Sequence, residues 1–190
     1  KHKVVVAQGV EIEAYYYAVE EKADYYAQAI RVEGSGYRFD LVTPTQTYKD
    51  VYLKAMGRHN LFNAIGALAV LDTGGLPLDK ALASLRTFKG IRRRMEVFSL
   101  ENKTVVDDYA HHPEEINAVL KTISEFYPDK RNMVVFQPHL FSRTQDFMQE
   151  FVEVLTQFDE IVLMDIYPAR EEPIIGVSSD VLLELIQHKN

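Results

Sequence analysis

The chain has 190 residues, which is enough for one large domain or two modest ones around a buried core. Its 47% hydrophobic and 26% charged residues are typical of a soluble globular protein. With no cysteine, disulfide and thiolate chemistry are excluded. The net charge of −7 argues against a nucleic-acid backbone as partner, and no apolar run is long enough to insert into a membrane. A cytoplasmic location is therefore predicted.

The first 56 residues read mainly as β structure. Strands are predicted at residues 4–6, 15–19, 25–32, 37–42 and 51–53, where β-branched and aromatic residues cluster. Turn residues at 34–36 and 43–45 separate them. The eight tyrosines between Tyr15 and Tyr52 suit either a sugar-binding platform or a half-buried sheet. The sheet is the favoured interpretation, because aromatic residues fit a pleated surface.

Two helices follow. The string GRHNLFNA at residues 57–64 opens a helix that continues to Gly74 and Gly75, and a second helix is predicted at 78–85 with Ala81, Leu82 and Leu85 on one face. The pattern then changes to an alternating strand near residues 88–91. This change predicts a first domain over residues 1–88 and a second over 89–190.

The string VVDDYAHHPEEI, residues 105–116, organises the second domain. Its apolar run predicts a strand that delivers two acids, a tyrosine and two histidines to the point where a helix starts. Pro113 suits the first turn of that helix, and Glu114 and Glu115 suit its positive end. Ligands bind at such strand ends in parallel α/β sheets.

The rest of the domain repeats strand and helix units. Strands are predicted at 132–136 and 161–164, and a helix is predicted at 145–158 with Phe147, Phe151, Val154, Leu155 and Phe158 inward. A loop at 167–179 leads to a short last helix. This order predicts an α/β fold with a Rossmann-like, mainly parallel sheet.

Polar side chains also follow the second and third predicted strands. If the sheet is parallel, they converge on one rim with those of the organising string. The rim set is Asp108, Tyr109, His111, Gln137, His139, Arg143, Tyr167, Arg170 and Glu171.

The string DDYAHHPEE at residues 107–115 resembles the signature of the Mur ligases, ATP-dependent amide-forming enzymes of peptidoglycan synthesis. Further strings carry the same resemblance, at residues 57–64, 94–96, 136–144 and 166–174. The resemblance implies the end of a β-rich and helical central ATP-binding domain, followed by most of a C-terminal domain. It implies ATP as the nucleotide and magnesium as a cofactor, with metal ligands expected outside these residues.

The resemblance also implies roles for individual residues. Asn60 and Asn63 would meet adenine, although asparagine at a helix start is also a common N-cap, and for Asn60 both roles remain open. Arg94 would grip the nucleotide phosphates, while the neighbouring Arg92 and Arg93 are predicted to be a solvated edge. Asp108 would bind the ribose or a nearby nucleotide group.

Four further residues, Tyr109, His111, His139 and Arg143, would face the acyl phosphate and the incoming amino acid. Many family members carry a basic residue directly after the Phe-Gln-Pro-His string, where this chain has Leu140. Either Leu140 faces the pocket and Arg143 carries a shared role alone, or Leu140 points into the core.

The implied reaction is phosphorylation of the lactyl carboxylate of UDP-N-acetylmuramate by ATP, followed by attack of L-alanine's amine on the acyl phosphate. There are two alternatives: a recycling ligase that adds a tripeptide, and a non-catalytic nucleotide-binding module. The string at residues 166–174 favours the enzyme that adds L-alanine. The sequence contains no G-x-x-x-x-G-K-[ST] phosphate loop. We therefore expect the chain to be an internal piece of a ligase and to be inactive alone.

Overall fold

A computed structural model describes residues 2–3 and 14–189. The strand predicted at residues 4–6 lies outside the described residues. The chain forms two compact units, which divide between Asp107 and Asp108. No helix among the described residues is both long enough and apolar enough to cross a membrane.

A five-stranded sheet builds most of the first unit. Its strands, in both chain and sheet order, are β1 (His2–Lys3), β2 (Tyr16–Val19), β3 (Tyr25–Glu33), β4 (Gly36–Val42) and β5 (Thr47–Leu53). β2 and β3 are parallel and the other pairs are antiparallel. Alternate residues of β4 are buried, including Tyr37, Phe39 and Leu41. Tyr25 is buried as well, so tyrosines serve the core of this sheet as predicted.

Two helices cover this sheet. α1 (Arg58–Thr73) packs against β2 and β3, and α2 (Asp79–Leu85) packs against β5. The α1 face that turns inward carries Leu61, Ile65 and Leu68. A Cβ on Gly66 would lie 2.9 Å from the Tyr17 ring, so a glycine is needed for this close approach. α2 matches the predicted helix to within a residue, and α1 ends just before Gly74 as predicted.

The strand that leads into the organising string belongs to a hairpin. β6 (Glu96–Leu100) pairs antiparallel with β7 (Lys103–Asp107), with Glu96 opposite Asp107. The predicted strand is confirmed, but its expected place in a parallel sheet is not seen in these pairings. The reason is the two-residue connection, because a parallel pair needs a crossover of a dozen or more residues.

The second unit contains the parallel pair. Its elements are α3 (Pro113–Phe126), β8 (Met133–Phe136), α4 (Phe141–Asp146), α5 (Met148–Leu155), β9 (Glu160–Leu163) and α6 (Ser179–Lys189). β8 and β9 pair in parallel, which confirms the predicted α/β class. One core joins the inner faces of these helices and strands, with Phe151, Leu155 and Leu182 fully buried.

The helix predicted at 145–158 is wrong in its bounds. It begins earlier, at Phe141, and is interrupted at Phe147, whose φ of −115° and ψ of 23° are not helical. At this break the Phe147 ring lies edge-on to the His112 ring, with centroids 4.4 Å apart. The predicted inward face is nevertheless confirmed, since Phe151, Val154 and Leu155 are buried.

Candidate functional site

The loop after β7 is shaped by its own polar groups. The Asp108 Oδ1 accepts a hydrogen bond from the Ala110 N–H at 2.8 Å, which closes a tight turn. The His111 Nδ1 lies 2.8 Å from the Tyr109 carbonyl oxygen. The Tyr109 ring stays 42% exposed and meets the His111 ring edge-on at 5.2 Å. Asp108 therefore holds the turn that presents Tyr109 and His111.

His112, the second histidine of the string, has a structural role at the start of α3. His112 is the N-cap of α3, and its Nδ1 accepts from the Glu114 N–H at 3.4 Å. The Glu115 carboxylate reaches back to the N–H groups of His111 and His112, at 2.9 and 3.3 Å. Pro113 occupies the first helical position, as predicted. This reciprocal cap fixes the direction in which the loop enters the helix.

His139, in the loop after β8, lies between the other two loops. Its ring centroid is 6.1 Å from that of His111 and 5.2 Å from that of Tyr167. Its Nδ1 is buried and has no hydrogen-bond partner among the described residues. Burial, followed by the charges of Arg143 and His111, lowers the pKa of His139, while Glu171 opposes this shift. The imidazole is therefore neutral at pH 7 and keeps a free ring nitrogen.

Backbone hydrogen bonds tie the loops after β8 and β9 together. The Leu140 N–H donates to the Tyr167 carbonyl at 2.9 Å, and the Tyr167 N–H donates to the Pro138 carbonyl at 2.8 Å. Leu140 is the N-cap of α4 with a φ of 77°, a conformation that non-glycine residues seldom adopt. α4 begins at Phe141, directly after this left-handed residue.

Arg143 and Glu171 complete this rim. The Arg143 Nη1 donates to the His139 carbonyl at 3.3 Å. The Glu171 carboxylate accepts from Ser142, from its N–H at 2.9 Å and from its hydroxyl at 2.5 Å. These two bonds, the hydroxyl's first, lower the pKa of Glu171, so it is ionised at neutral pH. The sequence singled out Arg143 and Glu171 but not Ser142.

The predicted convergence is thus confirmed within the second unit for a continuous chain of rings: Tyr109, His111, His139 and Tyr167. Gln137 lies beside it and donates to the Asp165 carbonyl at 3.2 Å. Arg170 is exposed to solvent. The second unit therefore offers an aromatic and imidazole surface next to the Arg143 guanidinium.

In the first unit, Asn60 and Asn63 lie one turn apart near the start of α1. The N-cap predicted at Asn60 is wrong, because Gly57 occupies that position with a φ of 94°. Asn60 is the third helical residue, and its Nδ2 donates to the Met56 carbonyl at 2.7 Å. Asn63 is exposed, so its amide is open to solvent.

Arg94 is exposed in a tight turn, where its N–H donates to the Ile91 carbonyl at 3.1 Å. The residues on either side, Arg93 and Met95, both have positive φ angles, and Met95 is buried. The buried Met95 anchors the turn while Arg94 points its charge to solvent. Neither Arg92 nor Arg93 is buried, which agrees with the predicted solvated edge.

Comparison with known protein families assigns both parts of the chain. The profile described as "Mur ligase, glutamate ligase domain" matches residues 93–189, and the "Mur ligase middle domain" matches residues 3–71. The chain belongs to the Mur ligase family. The resemblance inferred from the sequence strings is thereby confirmed.

Two curated relatives of this Mur ligase chain carry the same name. UDP-N-acetylmuramate--L-alanine ligase of Flavobacterium psychrophilum is 45% identical over 100% of the chain, which covers 43% of that protein. The ligase of the same name from Cytophaga hutchinsonii is 46% identical over 89% of the chain and 36% of its own length. The chain therefore spans about two fifths of the length of the curated relatives it matches.

Solved structures support the fold. The UDP-N-acetylmuramate-alanine ligase MurC of Thermotoga maritima aligns with a TM-score of 0.75 and 24% identity, over 93% of this Mur ligase chain and 37% of that one. Folylpolyglutamate synthase of the same organism aligns with a TM-score of 0.67 and 20% identity, over 90% of this chain and 38% of its own. At these identities the likeness establishes the α/β architecture.

Proposed function

We propose that this chain acts in an ATP-dependent ligase that joins L-alanine to UDP-N-acetylmuramate. One observation carries the proposal: His139, neutral and with a free buried Nδ1, lies in a ring cluster beside Arg143 in a Mur ligase chain. Its curated relatives at 45% and 46% identity are named for this reaction. Their shared name favours L-alanine over a tripeptide as the added group.

The proposed reaction has two steps. The lactyl carboxylate attacks the γ-phosphate of ATP, and ADP leaves with the formation of an acyl phosphate. The amine of L-alanine then attacks the acyl carbon, the C–O bond to phosphate breaks, and the amine loses a proton. The products are the amide, ADP and phosphate.

The second unit would serve the incoming amino acid. The guanidinium of Arg143 can bind the L-alanine carboxylate through paired hydrogen bonds. A neutral His139 can accept a hydrogen bond, which suits the amine. Tyr109 and His111 would face the same substrates from the neighbouring loop. The separation of cation and neutral base fits a substrate that carries both a carboxylate and an amine.

Other residues would hold the nucleotide. For Asn60, the Oδ1 is not used in the bond to Met56 and would accept from the amino group of adenine, with Asn63 one turn away. Arg94 would pair with the phosphates through its exposed guanidinium. The Asp108 carboxylate would accept from the ribose hydroxyls or a nearby nucleotide group.

The proposed border between ATP-binding and C-terminal domains, at residues 88 and 89, falls in the interval between the two family matches, which end at 71 and resume at 93. The compact units divide later, after Asp107. In this proposal the β6–β7 hairpin belongs to the C-terminal domain. A cytoplasmic location is part of the same proposal, because the reaction consumes ATP.

Magnesium is proposed as the companion of ATP, since metal ions neutralise phosphate charge in such transfers. Within the part of the chain that the structure describes, no three His, Asp or Glu side chains lie close enough together to hold a metal ion.

The test is phosphate release by the full-length enzyme in ATP, magnesium chloride and UDP-N-acetylmuramate, with one acceptor added at a time. L-alanine should give release well above the no-acceptor control, and the tripeptide should give little. Release with the tripeptide alone would favour the recycling ligase. Nucleotide binding without release for any acceptor would favour a non-catalytic module.

A further inference from the structure

Glu171 and Ser142 form a contact between the loops after β9 and β8. Both carboxylate oxygens of Glu171 are used, one by the Ser142 N–H at 2.9 Å and the other by its hydroxyl at 2.5 Å. The residues are 29 positions apart in the chain, so this contact is a property of the folded unit. Ser142 is the second residue of α4 and directly precedes Arg143.

The contact adds to the two backbone bonds that Leu140 and Tyr167 make across the same loops. Three ties therefore act within a few residues of the start of α4. A charged hydrogen bond is stronger than a neutral one, and the Glu171 and Ser142 side chains can each be removed by a point mutation, unlike the two backbone bonds. The side-chain contact is thus the tie that can be tested separately.

The carboxylate is also directed away from the cation beside it. Arg143 is close enough to lower the pKa of Glu171, yet the two form no ion pair in the described part of the chain. There the Arg143 guanidinium has one hydrogen bond, to the His139 carbonyl at 3.3 Å. Because both Glu171 oxygens face Ser142, most guanidinium donors of Arg143 remain available to a ligand.

We propose that Glu171 is a positioning residue for amino-acid binding: through Ser142 it fixes the start of α4, and it thereby orients Arg143 without neutralising it. This inference rests on the proposed function, in which Arg143 binds the carboxylate of L-alanine. The inference predicts that Glu171, which does not contact the substrate, controls the affinity for L-alanine and leaves the affinities for ATP and UDP-N-acetylmuramate unchanged. A general structural role would instead affect all of them.

The test compares KM for L-alanine, KM for ATP and kcat in the full-length enzyme. Glu171→Ala removes both bonds and should raise KM for L-alanine about tenfold, with KM for ATP and kcat within about twofold, since uniform binding is lost. Ser142→Ala keeps the backbone bond and should raise KM for L-alanine by about threefold. Glu171→Gln can still bond to Ser142 and should recover part of the loss.

Glu172→Ala is the matched control, because it removes the same charge from the adjacent exposed position and should leave all three constants unchanged. In the double variant of Glu171 and Ser142, the serine change should add little to the glutamate change, because the two act through one contact. Additive effects would overturn the proposal. So would an unchanged KM for L-alanine, or an equal rise in KM for ATP, in Glu171→Ala.

Failure of the proposed function has a different signature. If the wild-type enzyme shows no L-alanine-dependent phosphate release, the function is refuted and the positioning role with it, whatever the variants do. Amide hydrogen exchange at Ser142 then still reports on the contact, and should be faster in Glu171→Ala than in Glu172→Ala. If Glu171→Ala does not fold, Ser142→Ala decides, and an unchanged KM for L-alanine in it overturns the proposal.

Discussion

Truncation of Arg143 tests the amino-acid end of the site. Among the described residues Arg143 makes one long hydrogen bond, 3.3 Å to the His139 carbonyl, so Arg143→Ala should lower the free energy of unfolding by no more than about 1 kcal/mol. A charged hydrogen bond to the substrate carboxylate is larger, about 1.5–3 kcal/mol. We therefore expect kcat/KM for L-alanine to fall by about one to two powers of ten.

The assay is steady-state phosphate release by the full-length enzyme at varied L-alanine, with thermal unfolding to confirm that the fold is kept. Arg170→Ala, an exposed arginine on the loop after β9, is the matched control and should behave as wild type. Leu140→Arg, added to Arg143→Ala, should restore part of the activity if position 140 faces the ligand. Wild-type L-alanine kinetics in Arg143→Ala would refute the proposed role of Arg143.

Three further changes test other parts of the account. His139 should titrate below the ordinary histidine pKa of about 6.5 in an NMR titration, and Arg143→Ala should raise its pKa, since burial and then the arginine charge lower it. Asp108→Asn should raise KM for ATP more than KM for L-alanine, because the amide keeps the oxygen that holds the turn and loses only the charge. Tyr25→Phe should lower the free energy of unfolding in urea by about 1.5–3 kcal/mol, because the buried hydroxyl donates to the Asp72 carboxylate at 2.8 Å.

Matched variants serve as controls for these changes. Tyr26→Phe removes a hydroxyl from the next, half-buried position of β3 and should cost less than Tyr25→Phe. Asp107→Asn should leave KM for ATP nearer to wild type than Asp108→Asn does. A His139 pKa at or above the ordinary value, an unchanged KM for ATP in Asp108→Asn, or equal costs for both tyrosines would contradict the respective argument.

The rim of the second unit could be predicted from the sequence because it depends on short, local sequence patterns. Each of its loops directly follows an apolar run, and the carboxyl ends of strands place such loops at an edge. His139 and Tyr167 meet for that reason, because they follow the parallel strands β8 and β9. Tyr109 and His111 join them although they follow the antiparallel β6–β7 hairpin. The roles assigned to them rest on the family resemblance, since ring contacts alone do not select a substrate.

Features that depend on a single dihedral angle could not be predicted. The apolar spacing around Phe147 is the same for a continuous helix and for two helices, so the pattern does not reveal the break. Residue type makes Asn60 a candidate N-cap beside its other possible role, but the N-cap of α1 is Gly57, three residues earlier, with a positive φ. His112 is the N-cap of α3 because its ring nitrogen accepts a hydrogen bond. Residue preferences favour Ser, Thr, Asp and Asn at an N-cap, so they do not predict a histidine there.

Long-range polar contacts could not be predicted from the sequence either. The string at residues 166–174 draws attention to Glu171, but nothing in it indicates that the carboxylate turns to Ser142, on another loop. The antiparallel pairing of β6 with β7 has a recognisable sequence pattern, because a two-residue connection between strands favours a hairpin.

The central claim is that the full-length enzyme activates the carboxylate of UDP-N-acetylmuramate as an acyl phosphate and transfers it to L-alanine. The most direct test supplies this substrate with ¹⁸O in the lactyl carboxylate, together with ATP, magnesium chloride and L-alanine, and follows the products by mass spectrometry. The account predicts one ¹⁸O atom in the released phosphate and a new product heavier by the alanyl residue. Unlabelled phosphate, or ATP consumption without the alanyl product, would contradict it.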